Sequence, residues 1–267
     1  MKKFAKIIVC IALVAILATV GAFALTACNK KVNTLTVATN AAFPPFEYKD
    51  GIEFKGIDMD IMSSFAEDNG YTLKIEDMEF DSVVASVGKT TDIGAAALTV
   101  NETRKQVVNF SKTYYNASQM IIVKATDTTF DGLTTVAQVE EKLATLANGT
   151  KVGVQNGTTG LYYVEGDDDW GFDGYANLSA TGYTTIALAV QSLLNNQLGI
   201  VVVDEGPAKV LAASNSNIKV IEVKLTDEEY AFAVDKGNAD LLNKLNAWID
   251  ANQTKINTII TSYFGAN

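Results

Sequence analysis

Three observations predict an α/β fold with parallel strands and helical crossovers. Strand-like and helix-like patterns alternate along the chain. The runs "DIGAAALT" (Asp92–Thr99) and "GIVVVD" (Gly199–Asp204) are apolar without alternation, as strands covered on both faces are. The folded part has no cysteine, so its stability rests on burial rather than on cross-links.

The chain opens with a segment that does not belong to that fold. Lys2, Lys3 and Lys6 precede an apolar run from Ile7 to Val20, and "LTAC" (Leu25–Cys28) places small residues before a cysteine. This order predicts a signal peptide over residues 1–27, a bacterial lipobox with acylation of Cys28, and a short linker over 28–32. An uncleaved anchor is disfavoured, because the run is shorter than the roughly 20 residues of a spanning helix. Both readings put the rest outside the cytoplasm, and the lipidated form on the outer face of the cell membrane.

Cys10 falls inside the removed segment and Cys28 becomes the acylated residue, which leaves no thiol for catalysis or zinc. Residues 1–27 hold three lysines and no acid, so their removal takes the formal charge from -10 to -13. An acidic surface of that size disfavours nucleic acid and anionic lipid. The chain has no histidine, which excludes Ser-His-Asp and histidine-zinc hydrolases.

Each element then follows from its pattern. "LTVAT" alternates as a strand, and Pro44 and Pro45 stiffen the loop leaving it. "GIDMDIMSSFAEDNG" spaces Ile57, Ile61 and Phe65 as one helix face and ends at Gly70. "YTLKIE" reads as a strand, "DSVVASVGKT" as a short helix and "DIGAAALT" as a buried strand. Further on, "KVGVQ" is a strand leading to a helix start at "NGTTG", and "TTIALAVQSLLNN" is a helix. "GIVVVD" is a buried strand and "EGPAKVLAAS" a helix. "VEGDDDWGFDGYANLSA" (Val164–Ala180) reads as a solvated acidic loop; a calcium site is the sharper alternative, but the ligand order of an EF-hand is missing.

Three strand ends could carry chemistry, since ligands of open parallel sheets bind outside the carboxyl ends of the strands. After Thr99, Asn101 can cap a helix whose first turn holds Arg104, a planar fork suited either to a carboxylate or to a surface ion pair. In "VQNGTTG", Gly157, Thr158 and Thr159 suit an anion at a helix start or an ordinary cap; a P-loop lysine is absent. Asp204 either caps the helix after it or meets an ammonium group, while Glu205 should turn away. Two anion grips and one carboxylate match an α-amino acid.

Taken together, "TVATNAAFPPFEYKDG", "FKGIDMDIM", "EFDSVVASV", "DIGAAALTVNETRKQVVNFSKTYY", "VGVQNGTTG" and "VVVDEGPAK" resemble the solute-binding lipoproteins of bacterial polar amino-acid ABC transporters, extracellular solute-binding protein family 3, of the type II periplasmic-binding fold. The resemblance implies two α/β lobes with mainly parallel sheets, joined by a two-strand hinge around a ligand cleft. By analogy, lobe 1 is residues 33–115 and 231–267, lobe 2 is 119–227, and the hinge lies near 116–118 and 228–230. Leu241, Leu245, Trp248 and Ile249 then pack as core on lobe 1.

The resemblance also assigns roles. Arg104 and Thr99 hold the ligand α-carboxylate from one lobe, Thr158 and Thr159 from the other, and Asp204 takes the α-ammonium. Phe43 and Phe80 flank the ligand side chain, Asn40 is pocket wall, Ala97 allows close backbone approach, and Gln155 reaches the side chain. Asn40 stands where binders of cationic amino acids often place an aspartate, which favours a neutral polar ligand.

The implied partners are an amino acid and permease subunits, for a monomer with no cofactor, no metal and no enzymatic activity. Two other readings belong to the same fold: a cyclohexadienyl dehydratase, which would use Glu47 or Glu79 as general acid, and a sensor domain reporting to a separate receptor.

Overall fold

The computed structural model describes residues 33–264. The predicted signal segment, Cys28 and the linker over 28–32 lie outside the described residues.

Two five-stranded sheets carry the fold. In the first, the strands run in the order Thr72–Asp77, Thr34–Thr39, Ile93–Gly94, Ala233–Asp235, Val108–Phe110. In the second the order is Leu178–Tyr183, Thr150–Gln155, Ile200–Asp204, Gln119–Lys124, Ile218–Ile221. Both sheets are mixed. Parallel pairing joins the first three strands of each, and the fourth strand pairs antiparallel to both of its neighbours. That fourth strand follows closely on a connecting segment: Tyr115–Ala117 precedes Gln119–Lys124, and Glu228–Tyr230 precedes Ala233–Asp235. The two connecting segments pair antiparallel with each other, so each enters its sheet against the direction of the βαβ strands.

The periodic segments fold as their patterns require. The helix Ile57–Asp68 buries Ile57, Ile61, Met62 and Phe65 and stops before Gly70, which takes φ +68. Gly56, just ahead of it, has φ +122, and a Cβ there would lie 2.2 Å from the Phe46 carbonyl oxygen. The helix Ala239–Ala251 buries Leu241, Leu245, Trp248 and Ile249. Its Trp248 indole meets Phe65 edge-on at 5.7 Å and donates to Asp68 at 2.8 Å, a structural role.

Two expected elements differ. "DIGAAALT" is buried from Ile93 to Thr99, but only Ile93–Gly94 is strand. Ala95 makes the last rung, to Ala38, and Ala97 turns the chain at φ 47 before Leu98 accepts from Ala231. An apolar run thus marks burial here, whereas the sheet ends where the chain veers toward the connecting strands. The acidic stretch is not wholly a solvated loop. Leu178–Ala180 opens a strand, and the Trp170 ring stacks on Tyr162 at 4.5 Å.

Candidate functional site

Strand ends from both sheets converge on one narrow, partly enclosed space of about 10 Å³. All the predicted ligand-binding residues line it except Asn40, which bonds Gln155 of the lining, and Arg104, which bonds Thr99 and lines a larger neighbouring cavity with Phe80, Gly157 and Trp170. Asn40 lies just past the strand Thr34–Thr39. Its Nδ2 donates to the Met78 carbonyl (2.8 Å), and its Oδ1 accepts from Gln155 Nε2 (2.9 Å). Gln155 also donates to Thr184 O at 3.1 Å, so a chain of amides joins the two sheets at this end of the space.

Arg104 is held as its local sequence predicts. Asn101 caps the short helix Glu102–Lys105 by accepting the Arg104 N–H at 2.7 Å. The buried guanidinium donates to Thr99 O (2.7 Å) and across the cleft to Gly157 O (3.1 Å). Two aromatic rings stand against it, Phe80 at 5.4 Å and Trp170 at 5.0 Å. Burial pushes its pKa down to about 10, opposed first by Glu228 and then by Tyr162, Asp204 and Tyr230.

Asp204 ends the buried strand Ile200–Asp204, yet its side chain does not cap the next helix. It accepts from the Tyr230 hydroxyl at 2.5 Å instead. Burial pushes its carboxyl up to about 7, and neighbouring Glu228 adds to the shift. Glu205 does turn away, bridging Lys209 and Lys224, each at 2.7 Å.

Ala97 is one of the strained residues of the site, a non-glycine at positive φ. Its N–H donates to Asp58 Oδ2 at 2.9 Å, and Tyr114 donates to the other oxygen at 2.5 Å. Asp58 is fully buried, which raises its pKa to about 7 against the pull of those two bonds. Glu47 is also fully buried, and among the described residues neither of its carboxyl oxygens has a partner. Desolvation, then Asp58 and Asp204, hold it well above the usual carboxylate range. Glu47 does not line the enclosed space, and Glu79 is exposed.

Sequence reasoning missed three groups. Glu228 in "DEEY" is buried at 6% exposure and accepts from Thr99 (2.8 Å) and Thr159 (2.7 Å) on one oxygen. Its other oxygen accepts from Gln119 (3.0 Å) and Thr226 (2.6 Å). Asp58 and Trp170 are the others. An acid amid an apolar helix face was a readable signal for Asp58, whereas "DEEY" reads as a surface run. Thr158, which precedes the helix Thr159–Glu165, donates to Gln155 O at 2.8 Å. Phe43, from the short strand Ala42–Phe43, is buried and tilts against Phe46 at 6.4 Å.

Comparisons with known proteins bear on the family and the fold. The profile of the bacterial extracellular solute-binding proteins, family 3, matches residues 35–266. The L-arginine-binding protein of Pseudomonas aeruginosa is 28% identical over 228 residues, covering 80% of this chain and 81% of that protein. An ancestral arginine-binding protein bound to glutamine superposes with TM-score 0.75 at 29% identity, covering 88% of this chain and 99% of the other. The ancestral amino acid-binding protein AncCDT-1, a precursor of cyclohexadienyl dehydratase, gives TM-score 0.74 at 25% identity, covering 87% and 96%. The fold is that of the type II periplasmic binding proteins, two α/β lobes with a cleft between them.

Proposed function

The chain belongs to the bacterial extracellular solute-binding proteins, family 3, and on that premise we propose that it captures a polar amino acid and delivers it to the permease subunits of an ABC transporter. The observation that carries the reading is the pairing of Arg104 and Asp204. These opposite charges are buried beside one cleft without bonding each other: the guanidinium is held by carbonyls, the carboxyl by Tyr230. A zwitterion laid between them gives each its counter-charge, which offsets the cost of keeping both out of water.

In this reading Arg104 and Thr99 take the α-carboxylate from lobe 1, the Thr158–Thr159 turn approaches it from lobe 2, and Asp204 takes the α-ammonium. Phe43 and Phe80 wall the side chain, and Ala97 brings its backbone close. The amides of Asn40 and Gln155 stand at the far end, which supports a neutral polar side chain. The lobes comprise 33–115 with 231–267, and 119–227, and they turn on the paired segments near 116–118 and 228–230. The protein works as a monomer, tethered through acylated Cys28 to the outer face of the cell membrane after loss of residues 1–27. It needs no cofactor and performs no reaction.

A thermal-shift screen of the common amino acids on ligand-stripped protein tests the reading. A cognate ligand at 100 times Kd adds about 2.7 kcal/mol of stability. A melting point that none of them moves rejects it.

A further inference from the structure

Glu228 is a buried carboxyl group to which the proposed ligand contacts give no role, and its hydrogen bonds are unusually placed. It sits on the connecting strand Glu228–Tyr230. Its Oε2 receives the Thr99 hydroxyl at 2.8 Å and the Thr159 hydroxyl at 2.7 Å. Thr99 follows a strand of the first sheet, and Thr159 opens a helix after a strand of the second. One oxygen on the hinge therefore collects a donor from each lobe. Thr159 also lies 3.2 Å from the Thr99 hydroxyl, but each hydroxyl has a single hydrogen, and the shorter contact is to the carboxylate.

We propose that Glu228 is a positioning residue that clasps the lobes together in the ligand-holding arrangement and fixes the polarity of the cleft hydroxyls. This rests on the binding function given above and adds a residue to it. With both hydrogens committed to Glu228, Thr99 and Thr159 present lone pairs to the cleft. The ligand carboxylate is then served by Arg104 and by backbone N–H groups, that of Thr99 included, and not by those hydroxyls. Opening the cleft would part at least one of the two donors from Glu228, leaving a buried acceptor short of its partner. The clasp therefore slows opening and has little influence on encounter with ligand.

Stopped-flow binding of the amino acid found in the screen provides the test. Glu228→Met keeps the length of the side chain and removes the acceptor. It should raise koff by about 10- to 100-fold, with kon within about 3-fold. Glu228→Gln keeps one acceptor oxygen for the two threonines. Gln119, whose Oε1 is buried without a partner among the described residues, can turn its amide to meet the new N–H group. Its koff should stay within about 5-fold of the wild type, a rescue that bulk packing would not distinguish from Glu228→Met.

Thr99→Val and Thr159→Val should each raise koff, and the double variant should be no worse than the more affected single one, because either change breaks the same link. An unchanged koff in Glu228→Met, or additive threonine effects, overturns the proposal. If Glu228→Met does not fold, the threonine cycle decides. If no amino acid binds even the wild type, the functional reading fails separately. Small-angle scattering of ligand-free protein then tests the clasp, with Glu228→Met giving the larger radius of gyration and identical curves counting against it.

Discussion

The Tyr230 hydroxyl donates to Asp204 Oδ1 at 2.5 Å, and both groups are buried. Tyr230 belongs to the connecting strand Glu228–Tyr230 and Asp204 to the end of a strand in the second sheet, so the proposed ammonium acceptor is oriented from that connecting strand. Asp204→Asn keeps an oxygen for Tyr230 but removes the charge. Calorimetry should show affinity reduced by about 100-fold or more, while the melting point of ligand-free protein is kept or raised. Arg104→Ala should lose binding to a similar degree. Normal affinity in either variant would mean that the ligand lies elsewhere.

Affinity should depend on pH through the same carboxyl. Its pKa is raised to about 7 by burial and by Glu228, and the ionised form is the one that meets an ammonium group. Below that value binding must expel a proton, so affinity falls by up to about tenfold per pH unit. Titrations at pH 6 in buffers of different ionisation enthalpy should report this proton as a buffer-dependent heat. Asp204→Asn should abolish that dependence.

Stability of the ligand-free protein should run the other way from ordinary acid denaturation between pH 5.5 and 8. Asp58 and Asp204 are raised to about 7, and Glu47 is raised well above its usual range. In this interval the folded protein keeps protons that the unfolded chain has released. The stabilisation is therefore full below the ordinary carboxylate pKa and is lost as pH rises through the folded values. The melting point should drop by about 5 °C or more from pH 5.5 to pH 8. A melting point that climbs over this interval would show these carboxyls to be ionised in the fold.

Trp170 stands 5.0 Å over Arg104, while the chain's second tryptophan, Trp248, packs edge-on against Phe65. In a Trp248→Phe background, ligand binding should change Trp170 fluorescence. Trp170→Leu should weaken binding by about 3- to 30-fold, with Trp170→Phe in between, as a cation–π contact of about 1–2 kcal/mol requires. Equal affinity of the Leu and Phe variants would leave only packing to explain the contact.

Gly56→Ala should destabilise the fold by about 2–4 kcal/mol, because positive φ and a clash with the Phe46 carbonyl act together. Gly51→Ala has φ +63 and nothing within 4 Å, so it should cost about 1 kcal/mol. Chemical denaturation of the two variants gives the comparison.

The sequence by itself determined the alternation of strands and helices, the cap that places Arg104, the buried strand that delivers Asp204, and the core face of the helix Ala239–Ala251. Each is local physics: side-chain period, a capping oxygen three residues from its donor, or an unbroken apolar run. Only the tertiary structure decided that Ala97 leaves the sheet, that Trp170 covers Arg104, and that Glu228 gathers Thr99 and Thr159. Those relationships join residues 39 to 129 positions apart, as with Asp58 and Ala97 or Thr99 and Glu228. Whether an acid in the sequence ends in water or buried among donors depends on which distant surfaces close over it, and no local pattern records that.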